Sequence, residues 1–384
     1  VDDRPEAPVP LAVITREWLR IGVTGFGGPP THIALLRALC VDRRGWLEPE
    51  EFEDGVAATS LLPGPASTQL AIFCAWRLRG RVGALVGGLC FIVPGLVVVL
   101  ALSALFLARH PPLVVLGLAA GAGSGVPGVA LAAAVGLLPA SLRRVRARPP
   151  RLLRWTAYLV IGAVCGATAD AWLVLALLAC GIAETLIATG IRGPTGRLSA
   201  VLAAPSTGGV GGLLWVAVKV GALSFGGGFV IVPLMQHDAV DTYHWMSAPQ
   251  FLNAVALGQL TPGPVLQTVA VVGFAAAGLA GGILAAGVAF LPSFVFVLVG
   301  APRFSALRTN RSAQNFLTGA GGCAIGGIAG VAVPLAADLR HPWEGVLAAV
   351  AAVLLVLVRR DVVSVLLGCA AVGAVAALVH APLT

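Results

Sequence analysis

The sequence predicts an all-α polytopic membrane protein built from two homologous repeats of inverted topology. Each repeat is expected to hold five crossings plus a re-entrant hairpin, with helices broken at FGG and PGP. Three observations predict this. Of 384 residues, 58% are hydrophobic and only 11% charged, against about 25% charged in a soluble domain. The chain overlays itself when shifted by 199 residues. Its arginines also swap between equivalent loops of the two halves, as they would if one half lay upside down.

The overlay is specific. Phe26-Gly27-Gly28 falls on Phe225-Gly226-Gly227, Val41-Asp42 on Val240-Asp241, Trp46 on Trp245, Phe52 on Phe251, and Pro63-Gly64-Pro65 on Pro262-Gly263-Pro264. Across residues 26–65 no gap is needed and 14 of 40 positions are identical. After one deletion Gly80 meets Gly278 and Pro94 meets Pro292. Shared apolar composition alone does not keep Trp, Phe, Asp and PGP in register. The repeats run over 1–198 and 199–384, joined by the stretch IRGPTGRLSA.

A crossing needs roughly 20 apolar residues. Four candidates follow each PGP, at about 82–108, 113–141, 155–169 and 171–190, then at about 280–301, 312–336, 343–358 and 362–380. Arg77, Arg79 and Arg81 stand opposite the uncharged FAAAGLAGG, whereas Arg109 alone stands opposite Arg303, Arg308 and Arg311. Six arginines between Arg143 and Arg154 stand opposite Arg340, and the neutral ATAD opposite Arg359-Arg360. A bias that flips at every loop places the halves in opposite orientations, which requires an odd number of crossings per half. The segment about 11–38, repeated at 209–236, is expected to supply the fifth. The segment about 50–76 has basic residues at both ends and is expected to enter and leave on one face, with PGP at its tip. The expectation is ten crossings with both termini outside, and 19 of the 25 basic residues in or beside cytoplasmic loops.

Proline and glycine inside apolar runs leave backbone groups without partners, tolerable at membrane depth only when buried in protein or lining a wet cavity. A helix that restarts after such a break offers free N–H groups and a partial positive charge, which suits an anion. The candidate substrate-binding residues are therefore Phe26, Gly27, Gly28 and Pro29, with Pro63, Gly64 and Pro65, and the polar first turn Ser67, Thr68 and Gln69. In the second half they are Phe225, Gly226, Gly227 and Gly228, with Pro262, Gly263, Pro264, Gln267 and Thr268. Arg20 and Lys219 each precede FGG by six residues, and Lys219 is the sole lysine. Two equivalent intramembrane cations beside two anion-friendly breaks suggest a dianion site, against the plainer reading that each snorkels to an interface. Asp54, whose equivalent is Asn253, is the proton-coupling candidate, although a cap on the hairpin is the simpler role. His32 falls opposite Ile231 and reads as a core histidine rather than a proton relay.

Other chemistries find no support. The net charge of +8 comes from short clusters between apolar runs, so nucleic acid is not the partner. The seven cysteines are scattered, with no CxxC pair, and neither a metal nor a cofactor is expected. No P-loop, HExxH or GxSxG appears, so enzyme activity is not expected and an ion gradient or the membrane potential must supply the energy.

The run FGGPPTHIALLR…VDRRGWLEPEEFEDGVAATSLLPGPASTQLA…RGRVGALVGGLCFIVPG, repeated as FGGGFVIVPLM…HWMSAPQFLNAVALGQLTPGP, resembles the chromate ion transporter family in its long, two-domain form. The resemblance covers both halves. It implies export of chromate from the cytoplasm across a bacterial inner membrane, conferring chromate resistance, with sulfate as competitor. It also carries the FGG and PGP residues named above over as family motif positions, with Gly228 departing from Pro29. A sulfate or other oxyanion transporter and an anion-conducting channel remain alternatives. Two fused halves make a pseudo-dimer, compatible with a monomer or a homodimer.

Overall fold

The computed structural model describes residues 8–60, 62, 64–108, 111–146, 149–168, 172–189, 209–224, 231–301 and 310–379. Among them the regular structure is entirely helical. In the first half α1(Leu11–Thr24) leads into α2(Pro29–Arg37), which continues as a π-helical stretch over Ala38–Arg43. Then come α3(Pro49–Thr59), α4(Ala66–Phe106), α5(Leu113–Ser124), α6(Val126–Val145), α7(Pro149–Ala167) and α8(Trp172–Thr189). The second half repeats the order with α9(Val210–Leu223), α10(Ile231–Gln236), a π-helical His237–Thr242, α11(Ala248–Leu260), a 3₁₀ turn at Val265–Gln267 and α12(Thr268–Gly300). It ends with α13(Arg311–Ala337), α14(Pro342–Ala352) and α15(Val362–Leu378).

Local chemistry places the boundaries. Prolines open α2 and α3, where their missing N–H groups would have no helical partner. Ser247 and Gln250 cap α11 reciprocally, Asn310 accepts from the Ser312 and Ala313 N–H groups, and Asp361 accepts from Ser364 N–H. Long α4 and α12 each fold back at one point. Gly80 has φ +59° and its equivalent Gly278 +63°, a conformation that costs glycine little. The two arms of α4 then lie together with Gly83 on the Ala75 carbonyl, and those of α12 with Gly281 on the Gly273 carbonyl.

The segment 11–38 corrects the sequence reading. It does not run straight through but folds back, because Arg44 donates to Glu17 at 3.0 Å. Seven residues of α1 lie between Glu17 and the turn, so a straight path would carry Arg44 tens of ångströms away at 1.5 Å per residue. Its equivalent closes the same way, through Lys219 on α9 and Asp238 after α10. In the first half FGG thus lies at the turn of a helical hairpin. A second hairpin joins α3 to the first arm of α4, with Gly55 against Phe73 and Glu51 paired to Arg77.

Each half therefore presents two helical hairpins followed by long apolar helices. Among the described residues, five helical stretches are by length and composition sufficient to cross a membrane: 66–106, 113–143, 172–189, 265–300 and 311–337. Their surfaces agree with a lipid environment. Val82, Leu85, Leu89, Val93 and Val97 form a helical stripe on α4, each at least 43% exposed, which water would penalise and lipid would not. Between helices, small residues allow close approach. Gly162 and Gly166 of α7 meet Cys323 and Gly327 of α13, while Gly117 and Gly121 of α5 meet Gly373 of α15.

A Gly162→Val protein tests this packing. The new side chain falls on the Cys323 backbone, and overpacking of this kind costs about 1–3 kcal/mol. Its thermal unfolding temperature in detergent is expected to drop by several degrees. Gly321→Ala, on the same α13 with open space around it, is expected to leave that temperature unchanged or raised.

Candidate functional site at the crossed turns

Two kinds of break meet in the middle of the molecule. At the first, Gly25 N–H donates to Ile21 O at 2.7 Å and ends α1. Gly27 and Gly28 then take φ of +96° and +74°, and Pro29 restarts the helix. At the second, Gly64 and Gly263 sit between prolines with φ of +117° and +99°. Helix resumes at Ala66 in one half and at Thr268, after the 3₁₀ turn, in the other.

The two halves exchange hydrogen bonds at these points. Gly64 N–H donates to Ser224 O at 2.8 Å, and Gly263 N–H donates to Gly25 O at 2.9 Å. Position 64 is equivalent to 263, and 25 to 224, so this is one interaction made twice. Each PGP turn also rests on the long arm of the other half. Gly95, just after Pro94, lies so close to Pro262 O and Gln267 that no Cβ would fit, and Ser293, just after Pro292, lies beside Gly64.

Polar side chains gather around the exchange. Ser67, Thr68, Gln69, Ser224, Gln267, Thr268 and Ser293 are all buried to 1% exposure or less. Some are satisfied: Ser67 Oγ lies 3.2 Å from His32 Nδ1, Thr268 Oγ1 donates to Val265 O at 3.0 Å, and Gln267 Nε2 donates to Ile92 O at 2.9 Å. Thr68 Oγ1, Ser224 Oγ, Ser293 Oγ and Gln267 Oε1 have no protein partner. A buried polar atom left this way costs about 1–3 kcal/mol, so four together mark a place built for something polar. None of the gathered residues is a carboxylate. Three acids of the surrounding hairpins are held in ion pairs, Glu17 by Arg44, Glu51 by Arg77 and Asp238 by Lys219. The three hydroxyls can each donate to an anion in this low-dielectric setting, whereas Gln267 Oε1 can only accept.

The expected residues divide into groups. Gly64, Pro65, Ser67, Thr68, Gln69, Pro262, Gly263, Pro264, Gln267 and Thr268 come together at the crossing. Gly27, Gly28 and Pro29 form the adjacent turn, where a Cβ on Gly28 would lie 3.8 Å from the Val265 side chain, while Phe26 is 41% exposed. Pro63, Phe225, Gly226, Gly227 and Gly228 lie outside the described residues. Arg20 and Lys219 are not equivalent in their surroundings. Arg20 is exposed and lines a groove of about 630 Å³ on α1 with Arg16, Leu19, Val23 and Thr24, whereas Lys219 is partly buried and paired with the buried Asp238. Asp54 is half-buried on α3, and its equivalent Asn253 lies against Gly123. Sequence reasoning did not single out Gly25, Ser224, Gly95 or Ser293, and His32, read as a core histidine, is fully buried. The repeat does carry a signal for Ser293, which aligns with Gly95 directly after the paired prolines. Among the described residues no cluster of His, Cys, Asp and Glu could hold a metal ion.

Comparison with known proteins adds a family. The family model described as chromate transporter matches residues 12–185 and again 211–374. A chromate transport protein of Cupriavidus metallidurans is 32% identical over 85% of this chain and 82% of its own length. A chromate transport protein of Pseudomonas aeruginosa is 30% identical over 86% and 82%. An uncharacterised transporter of Methanocaldococcus jannaschii is 28% identical over 79% of each chain. No solved structure matches.

The Lys219–Asp238 pair yields a stability prediction. Lys219→Met strands a buried carboxylate, a loss of about 3–5 kcal/mol, and thermal unfolding in detergent should shift down sharply. Adding Asp238→Leu should restore most of it. Arg20→Ala, on an exposed face, should change stability by less than about 0.5 kcal/mol.

Proposed function

The chain belongs to the chromate transporter family, and we propose that it exports chromate from the cytoplasm, confers chromate resistance, and binds the oxyanion at the crossed PGP turns. The observation that carries this reading is the set of buried, unpartnered hydroxyls around the exchanged glycine hydrogen bonds, with Glu17, Glu51 and Asp238 each held in an ion pair. Thr68, Ser224 and Ser293 can each donate to an oxyanion, and the first turn after Pro65 adds the free N–H groups of a helix start.

The two halves, 1–198 and 199–384, act as inverted repeats. Support comes from the equivalent second arms of α4 and α12, which run antiparallel in contact: Gly88 meets Phe294 and Gly282 meets Leu100. Helices that lie antiparallel across a pseudo-two-fold, and along the membrane normal, face opposite sides. The alternating arginines give the same orientation and put the basic loops in the cytoplasm. On this reading the PGP hairpin of each half is re-entrant, that of the first from the cytoplasm and that of the second from outside. The connection between the halves, 190–208, lies outside the described residues. A pseudo-two-fold then runs through one shared site, which alternating access of a secondary transporter requires. One chain completes the site, so a monomer suffices.

The membrane potential favours the direction. A dianion leaving a bacterial cytoplasm at 100 mV, inside negative, gains about 4.6 kcal/mol, at roughly 2.3 kcal/mol per charge. Sulfate offers the same donors a tetrahedral dianion and is the natural competitor.

Uptake of radiolabelled chromate into inside-out vesicles tests the proposal. Saturable uptake is expected, reduced by excess sulfate. Thr68→Val and Ser293→Ala each remove one donor worth about 1–2 kcal/mol and should raise the KM for chromate about tenfold with the protein still inserted. Unchanged KM in both variants would remove the site. No uptake above empty vesicles by folded wild type would remove the chromate assignment.

A further inference from the structure

His32 is fully buried on α2 and touches both breaks of the first half. Its Nε2 lies 2.9 Å from Gly25 O, the carbonyl that also accepts from Gly263 N–H, and its Nδ1 lies 3.2 Å from Ser67 Oγ. Phe91 packs edge-on with ring centroids 4.9 Å apart. A carbonyl can only accept, so the neutral ring carries its proton on Nε2. Nδ1 must then accept, and the Ser67 hydroxyl proton points at the ring. Ser67 stands on the first turn after Pro65, yet in this state it has no proton to offer a ligand.

Protonation reverses that arrangement. In the imidazolium both nitrogens donate. Nε2–H keeps Gly25 O, Nδ1–H now donates to Ser67 Oγ, and the serine proton is released to turn toward the PGP break. The crossing gains a positive charge and one more donor in a single step. We propose that His32 binds a proton together with the anion and acts as a positioning residue that turns Ser67 into an anion donor. The inference rests on the oxyanion-site reading above and adds the coupling ion. It halves the net charge carried with a dianion.

The surroundings leave His32 as the titrating group. The side chains and backbone that touch it, Ser67, Gly25 and Phe91, carry no charge. On α1, Glu17 is held by Arg44 while Arg16 and Arg20 are exposed. On α4, Arg77 pairs with Glu51 and Arg79 donates to Val9 O at 3.0 Å. On α2 itself, Arg37 pairs with Glu53 at 3.1 Å. The second half cannot do the same, because Ile231 replaces His32 and Ser224 replaces Gly25. A Cβ at Gly25 would collide with the His32 ring, so the glycine and the histidine belong together.

The test is calorimetric binding of sulfate, which does not titrate near neutrality, to the purified full chain in two buffers of different ionisation heat. Wild type is expected to take up about one proton per sulfate, and its affinity to fall about tenfold per pH unit on the alkaline side. His32→Gln, which offers one donor and one acceptor like the neutral ring, should still bind weakly while taking up no proton. Ser67→Ala keeps the titrating ring but loses the relay, so its affinity should depend less steeply on pH. Proton uptake of zero in wild type, or uptake in His32→Gln equal to wild type, overturns the inference and leaves the site standing. Absence of saturable binding of either sulfate or chromate to folded wild type overturns the site and the inference together.

Discussion

A backbone N–H that is buried without an acceptor costs several kcal/mol in an apolar interior, and proline-bounded turns inside apolar runs cannot supply that acceptor locally. Gly64 and Gly263 solve this by reaching across the molecule, each to the carbonyl that ends the first helix of the other half. Much else follows from that exchange. It favours glycine at both turns, because φ near +100° is rarely adopted by other residues, and at Gly64 a Cβ would also fall on the Gln69 side chain. It requires the arms after Gly80 and Gly278 to cross, and it draws the polar first turns of both restarted helices to one place. Neither half can satisfy its own PGP turn.

Equivalence under the repeat does not make the halves identical. The exchange is matched bond for bond, while the side chains around it differ: Gly25 and His32 on one side, Ser224 and Ile231 on the other. The straps that close the first hairpins also differ in sign. In one half the acid sits on the first helix and the base beyond the π-helical stretch, as Glu17 and Arg44; in the other the base comes first, as Lys219 and Asp238. A symmetric frame thus carries an asymmetric lining, which allows one half to hold a titratable group while the other stays neutral.

Much of this was legible in the sequence, and the failures have physical causes. The repeat match pairs Gly80 with Gly278 without marking either as a turn, whereas the charges flanking 50–76 point to a hairpin with PGP at its tip. The sequence reads the FGG hairpin as a crossing because a largely apolar segment of 28 residues is long enough to span, and periodicity carries no information on whether a chain reverses. The reversal is fixed by Glu17 and Arg44, 27 residues apart. Lys219 read as a free cation because its partner Asp238 aligns with Leu39, so symmetry hid the pair. Gly25 and Ser224 were invisible because they act through their carbonyls, which every residue possesses.

The measurement that bears most directly on the crossed turns is to produce 1–198 and 199–384 as separate chains, alone and together. If each PGP turn depends on the other half, the two fragments should copurify in equal amounts when coexpressed and regain chromate transport, while each alone is degraded or aggregates. A single fragment that is monodisperse as a monomer and transports chromate by itself would contradict the account.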